Sequence, residues 1–149
     1  GFGSMQIEPP ASDATMPAGL NRTLALEISI APAGDRPATG SEALWKTVPL
    51  DGCRACHLGR DSRALDAPGD GAGIKAIILS SADIGRQALD LRIREDGSLR
   101  ATVHNPAGAW IESRHVACGE QADLYPGEHI FIPGNDLSYV VVPRWQIVA

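Results

Sequence analysis

Apolar and polar residues alternate along this chain in short bursts. In TLALEISI (23–30), Leu24, Leu26, Ile28 and Ile30 take every second position. That is the period of a strand with one buried face. LWKTVPL (44–50) and CRACHL (53–58) read as two strands joined by an Asp51-Gly52 turn, the second returning along the first and ending at Gly59. IKAIILS (74–80) is compact and rich in β-branched residues, as in a buried strand. ALDLRIRE (88–95) alternates through Leu89, Leu91 and Ile93, and Asp96-Gly97 is a strong hairpin signal. SLRATVHN then returns with Leu99, Ala101 and Val103 on one face. Further strands are predicted around AWIES, HVACG, HIFIPG and LSYVVVPRW. SADIGRQALDL (81–91) is the weakest helix candidate, and the hairpin beside it favours a strand.

Between these bursts lie Gly-, Pro- and Asp-rich connections, APAGDRPATGSEA and GRDSRALDAPGDGAG (59–73). The pattern predicts an all-β fold, a sandwich or barrel of about ten short strands. Residues 1–22 read as a leader, 23–143 as one domain and 144–149 as a C-terminal tail. Gly1 to Ser4 read as a tag remnant before a native start at Met5, with no secretory signal expected upstream.

Composition narrows the function. The 149 residues are 44% hydrophobic and 21% charged, with a net charge of −5 and 5% aromatics. The chain is therefore globular, with a core resting on aliphatic side chains. Lys46 and Lys75 are the only lysines, and no dense basic run exists, which argues against nucleic-acid binding through phosphate neutralisation. No apolar run is long enough to cross a membrane as a helix. Three cysteines, an odd number, predict free thiols and a reducing, cytoplasmic compartment. High Ala, Gly and Arg content suggests a GC-rich bacterial genome.

Cys53-Arg54-Ala55-Cys56-His57 spells a haem-attachment pattern. Here it fills a predicted strand, on which Cys53 and Cys56 point to opposite faces. A zinc site would draw on Cys53, Cys56, Cys118 and one of His57, His104, His115 and His129. It has only one Cys-x-x-Cys and meets the same objection. Haem and zinc are minor alternatives, and no cofactor or metal is predicted. Asp66 and Asp70 lack the alternating oxygen ligands of a calcium loop. No nucleophile elbow or scaffolded carboxylate pair points to an enzyme.

The ordered set HLGR (57–60), AIILSSADIGRQALDLRI (76–93), REDGSLRATVHN (94–105), NPAGAWIES (105–113), LYPGEHIFIPG (124–134) and LSYVVV (137–142) resembles the forkhead-associated (FHA) domain. The resemblance spans residues 23–143 and implies an antiparallel β-sandwich of about ten to eleven short strands, FHA/SMAD-like, that binds phosphothreonine peptides with loops at one end. It places Arg60 and Arg86 on the two family arginines, where a planar guanidinium suits a phosphate. Gly85 stands where the family has a phosphate-binding Ser, and Ala88 where it has a bracing His. Ala107 stands where an Asn ties the peptide backbone, with Asn105 two residues earlier and Pro106 between. Ser62, Ser80, Ser81 and Gln87 lie near the same loops as replacements. Each charged hydrogen bond contributes about 1.5–3 kcal/mol. Two lost contacts would weaken binding about 10²–10⁴-fold.

The expectation is a protein–protein interaction module of FHA type with weakened or lost phosphothreonine dependence. Its ligand residues would be Arg60, Arg86, Asn105, Ser81 and Gln87, with the 61–73 loop beside them. The partner would be a protein or peptide, with or without phosphothreonine. The alternative is an assembly subunit of a larger bacterial complex that uses the fold without phosphate.

Overall fold

The computed structural model describes residues 21–37, 40, 42–59, 73–79 and 88–148, and all the regular structure among them is β-strand. The strands are β1 (Asn21–Gly34), β2 (Ala43–Pro49), β3 (Ala55–Gly59), β4 (Ile74–Ile78), β5 (Leu89–Ile93) and β6 (Leu99–Val103), followed by β7 (Ala109–Ile111), β8 (Arg114–Val116), β9 (Gln121–Leu124), β10 (Ile130–Ile132) and β11 (Gly134–Val148). They form two sheets, six-stranded in the order β2-β1-β11-β10-β7-β8 and five-stranded in the order β4-β3-β5-β6-β9.

The alternation seen in the sequence explains how the sheets meet. Leu24, Leu26 and Ile28 of β1 face inward with Tyr139 and Val141 of β11. Across the interface lie Cys56 and Leu58 of β3, Leu89 and Leu91 of β5, and Leu99, Ala101 and Val103 of β6. Burying such a row against its counterpart is the main stabilising term of a sandwich. Tyr139 is the largest fully buried side chain, and its ring tilts against Trp45 at 5.9 Å.

Several expectations change. The segment after Asp51-Gly52 does not return along β2, because β3 belongs to the opposite sheet. Leu50, 3% exposed, plugs the corner, and the Cys53 N–H closes the turn onto its carbonyl at 2.9 Å. The sandwich is not wholly antiparallel either, since β3 and β4 run parallel, Ala55 opposite Ile74 and Gly59 opposite Ile78. A parallel pair needs a long connection, and residues 60–73 supply it. β1 and β11 are long rather than short, pairing from Asn21↔Val148 to Gly34↔Gly134. Residues 144–148, expected as a tail, are therefore paired strand. In the helix candidate, 89–91 is strand, and 81–87 lies outside the described residues.

The β5–β6 hairpin forms where Asp96-Gly97 predicted it. The Asp96 carboxylate accepts the Ser98 N–H at 2.9 Å and hydroxyl at 2.6 Å, and Gly97 sits at φ 88°. These hydrogen bonds, the hydroxyl's foremost, hold the Asp96 carboxyl below the usual carboxylate range.

Candidate functional site

One end of the five-stranded sheet gathers the stubs of three connections. β3 and β4 both finish there, β5 starts there, and β6 finishes there. The backbone locks these stubs together. Leu79 donates to the Gly59 carbonyl at 2.8 Å and Ala88 to Leu58 at 2.8 Å. His104 and Asn105 both donate to the Ala88 carbonyl, at 2.9 and 3.0 Å. Gly59, Leu79, Ala88 and Asn105 thus form one fixed rim, with the Asp96-Gly97 hairpin at the far end of the sheet.

Of the expected ligand residues, Asn105 is described, and Arg60, Arg86, Ser81 and Gln87 lie outside the described residues. In the sequence Arg60 follows rim residue Gly59, and Gln87 precedes rim residue Ala88. Asn105 is 1% exposed, and its amide nitrogen donates to the carbonyls of Gly108 at 3.0 Å and Pro133 at 3.3 Å. It ties the β6–β7 turn to the β10–β11 corner and so braces the rim from inside. Ala107 is exposed on that turn, and its carbonyl contacts His115 Nε2 at 3.2 Å. Gly108 takes φ 79° with His115 packed so close that a Cβ would come within 2.7 Å of Nε2. The turn therefore accommodates glycine and little else.

At the edge of the rim lies a cluster that sequence reasoning missed. Asp90 of β5 meets His57 Nδ1 of β3 at 2.5 Å and His104 Nε2 at 2.9 Å, each through a different carboxylate oxygen. All three are half-buried on the outer face, opposite the core-facing Cys56 and Leu58. One carboxylate accepting two imidazole N–H groups joins the strands that feed all three connections. The available signal was weak, since His57 and Asp90 take outward positions of alternating strands and His104 follows the last residue of β6.

The Cys-x-x-Cys-His stretch takes a structural place. Cys56 is fully buried in the core, where desolvation pushes its thiol up to about 12. Cys53 is half-buried, Cys118 is exposed with its thiol on the His104 carbonyl at 3.4 Å, and all three are free. Among the described residues no three His, Cys, Asp or Glu side chains are arranged to hold a metal ion.

The other sheet meets this end with a Trp110 shelf. The indole N–H donates to the Asp35 carbonyl at 2.9 Å, Arg36 stands 5.8 Å over the ring, and His115 packs edge-on at 5.1 Å. With Ala107 and Pro133 these residues line a shallow hollow of about 450 Å³.

No family model matches the sequence, and no curated protein sequence matches it. Solved structures do match in fold. The FHA domain of CT664 from Chlamydia trachomatis aligns at TM-score 0.51 and 19% identity over 80% of this chain and 96% of that one. The MEK1 FHA domain aligns at TM-score 0.53 and 12% identity over 83% and 89%. Full-length yeast Pml1p aligns at TM-score 0.52 and 16% identity over 95% and 100%. The chain has an FHA-like fold.

Proposed function

We propose that this chain is a peptide-binding interaction module of FHA type, not an enzyme, whose reading surface is the rim of Gly59, Leu79, Ala88 and the 104–108 turn. The observation that carries this is the backbone knitting of three connections onto one sheet end, which fixes where those connections leave a rigid sandwich. Arg60 and Arg86 are the proposed anion-reading groups, with Ser81 and Gln87 as further proposed ligand residues. Asn105 serves the site by holding the turn, since its amide nitrogen is engaged by two carbonyls.

Phosphothreonine dependence is proposed to be weak. Gly85 and Ala107 occupy the two positions where the FHA pattern carries polar contacts to the ligand. Free thiols at Cys53, Cys56 and Cys118 fit a reducing, cytoplasmic setting. An assembly role without phosphate is the second reading, favoured by the likeness to the yeast Pml1 splicing factor, described as integrated into the RES complex. Arg60→Ala separates the two. Under the peptide-reading proposal it lowers the binding of phosphothreonine peptides to that of their unphosphorylated forms, at unchanged melting temperature and with phosphate-independent assembly spared. Unchanged peptide binding in that variant would contradict the assignment of Arg60.

A further inference from the structure

The outer face of the six-stranded sheet carries the Glu27–Arg144 ion pair, but one part of it is apolar. Val140 of β11 pairs with Phe131 of β10, which pairs with Trp110 of β7. Ala31, Phe131, Val140 and Val142 form a buried apolar cluster separate from the sandwich core, with Trp110 packed against it. The connection after β1 crosses towards Trp110, held by the Asp35 carbonyl on the indole N–H. Beside Arg36 lies a cavity of about 510 Å³, floored by Phe131 and Val140 and walled by Trp110 and Pro37. Its size and apolar floor with a few polar groups are those of a binding pocket rather than a surface irregularity.

The rim of this cavity is unevenly charged. Glu42 has no hydrogen-bond or ion-pair partner among the described residues. Glu112 accepts the His129 backbone N–H at 2.6 Å and contacts Nδ1 at 3.1 Å. Those bonds, the backbone one foremost, hold its carboxyl below the usual range, so it stays a carboxylate. Glu112 is also the one non-glycine residue at positive φ, 53°, among those described. Such a conformation is strained and persists where surrounding contacts enforce it. Arg36, the opposing cation, lies over Trp110.

We infer that this groove is a second docking site, separate from the loop end, for an extended segment of a partner protein that presents one large apolar side chain next to a lysine or arginine. The apolar side chain enters between Trp110 and Pro37, and the cation meets Glu42 and the Glu112 carboxylate. Occupancy does not depend on the loop-end reading, because no rim residue of that end lines the cavity.

The test is a titration of the ¹⁵N-labelled full chain with two end-capped synthetic peptides, GKFKG and GEFEG. Saturable shifts of the Trp110 indole N–H and of the Phe131 and Val140 amides are expected with GKFKG. Binding of GEFEG should be weaker by at least about tenfold. Glu42→Lys, a change at an exposed position, should weaken GKFKG binding at least about threefold and narrow the gap between the peptides. Absence of saturation at millimolar GKFKG, or equal binding of both peptides, would overturn the inference. So would shifts of the same patch that follow protein concentration without peptide, which would assign the groove to a second copy of the chain.

Discussion

His57 and Asp90 sit opposite each other on β3 and β5, with Nδ1 and Oδ1 2.5 Å apart. The second oxygen of Asp90 is taken by His104 Nε2, so one carboxylate ties β3 and β5 to the first residue after β6, at the edge of the proposed reading rim. Asp90→Ala removes both contacts. It is expected to lower stability by about 1–2 kcal/mol, a value limited by partial exposure. Urea unfolding should show the loss as an earlier midpoint at unchanged m-value.

Asn105→Ala leaves the carbonyls of Gly108 and Pro133 without their amide donor inside a buried corner. The cost should be about 1–3 kcal/mol. Asn105→Asp should cost more, because a carboxylate would face the same carbonyl oxygens. Thermal unfolding of the two variants checks the order.

Gly97→Ala tests the far hairpin. The position has φ 88°, and an added Cβ would run into Cζ2 of Trp145. Strain and overpacking together should destabilise by about 2–4 kcal/mol. The displaced indole should also change the tryptophan emission of the folded protein, and an unchanged spectrum would count against this packing.

Among the described residues three carboxyl groups lie below their ordinary range: Asp96 through Ser98, Glu112 through the His129 backbone, and Asp123 through Arg94 and then Arg100. Such groups bind fewer protons folded than unfolded. The stability they lend is present above about pH 4 and is lost as pH falls through the folded values. Melting temperature should therefore decline in acid below about pH 4–5. Asp123→Asn should flatten that decline.

Thiol reactivity should divide the cysteines. Cys118 is exposed, whereas Cys56 is fully buried with its thiol pushed up to about 12. At mildly alkaline pH a disulfide reagent should label Cys118 first and reach Cys56 only on unfolding.

Much of the fold was legible because burial is one-sided. Leu24, Leu26 and Ile28 announce β1 by their spacing alone, and Asp96-Gly97 announces its hairpin by turn chemistry. β9 was not legible, because within Gln121–Leu124 only Leu124 is buried. The crossing between sheets at Leu50 hid behind Asp51-Gly52, which has the same local signature whether the chain doubles back or changes sheet. Asn105 was legible as important but not in its orientation, since a turn asparagine serves equally as an outward donor or an inward brace. The Asp90 cluster required register, because His57 and His104 are far apart in sequence.

The central claim is that the end bearing Gly59, Leu79, Ala88 and the 104–108 turn reads peptides with little reliance on phosphate. Its most direct measurement is amide shift mapping with matched Thr-peptides, phosphorylated and unphosphorylated, selected from a library. The predicted result is saturable shifts at those rim residues with affinities for the two forms within about tenfold of each other. Shifts confined to other parts of the chain, or a preference for phosphate of about 10²-fold or more, would contradict it.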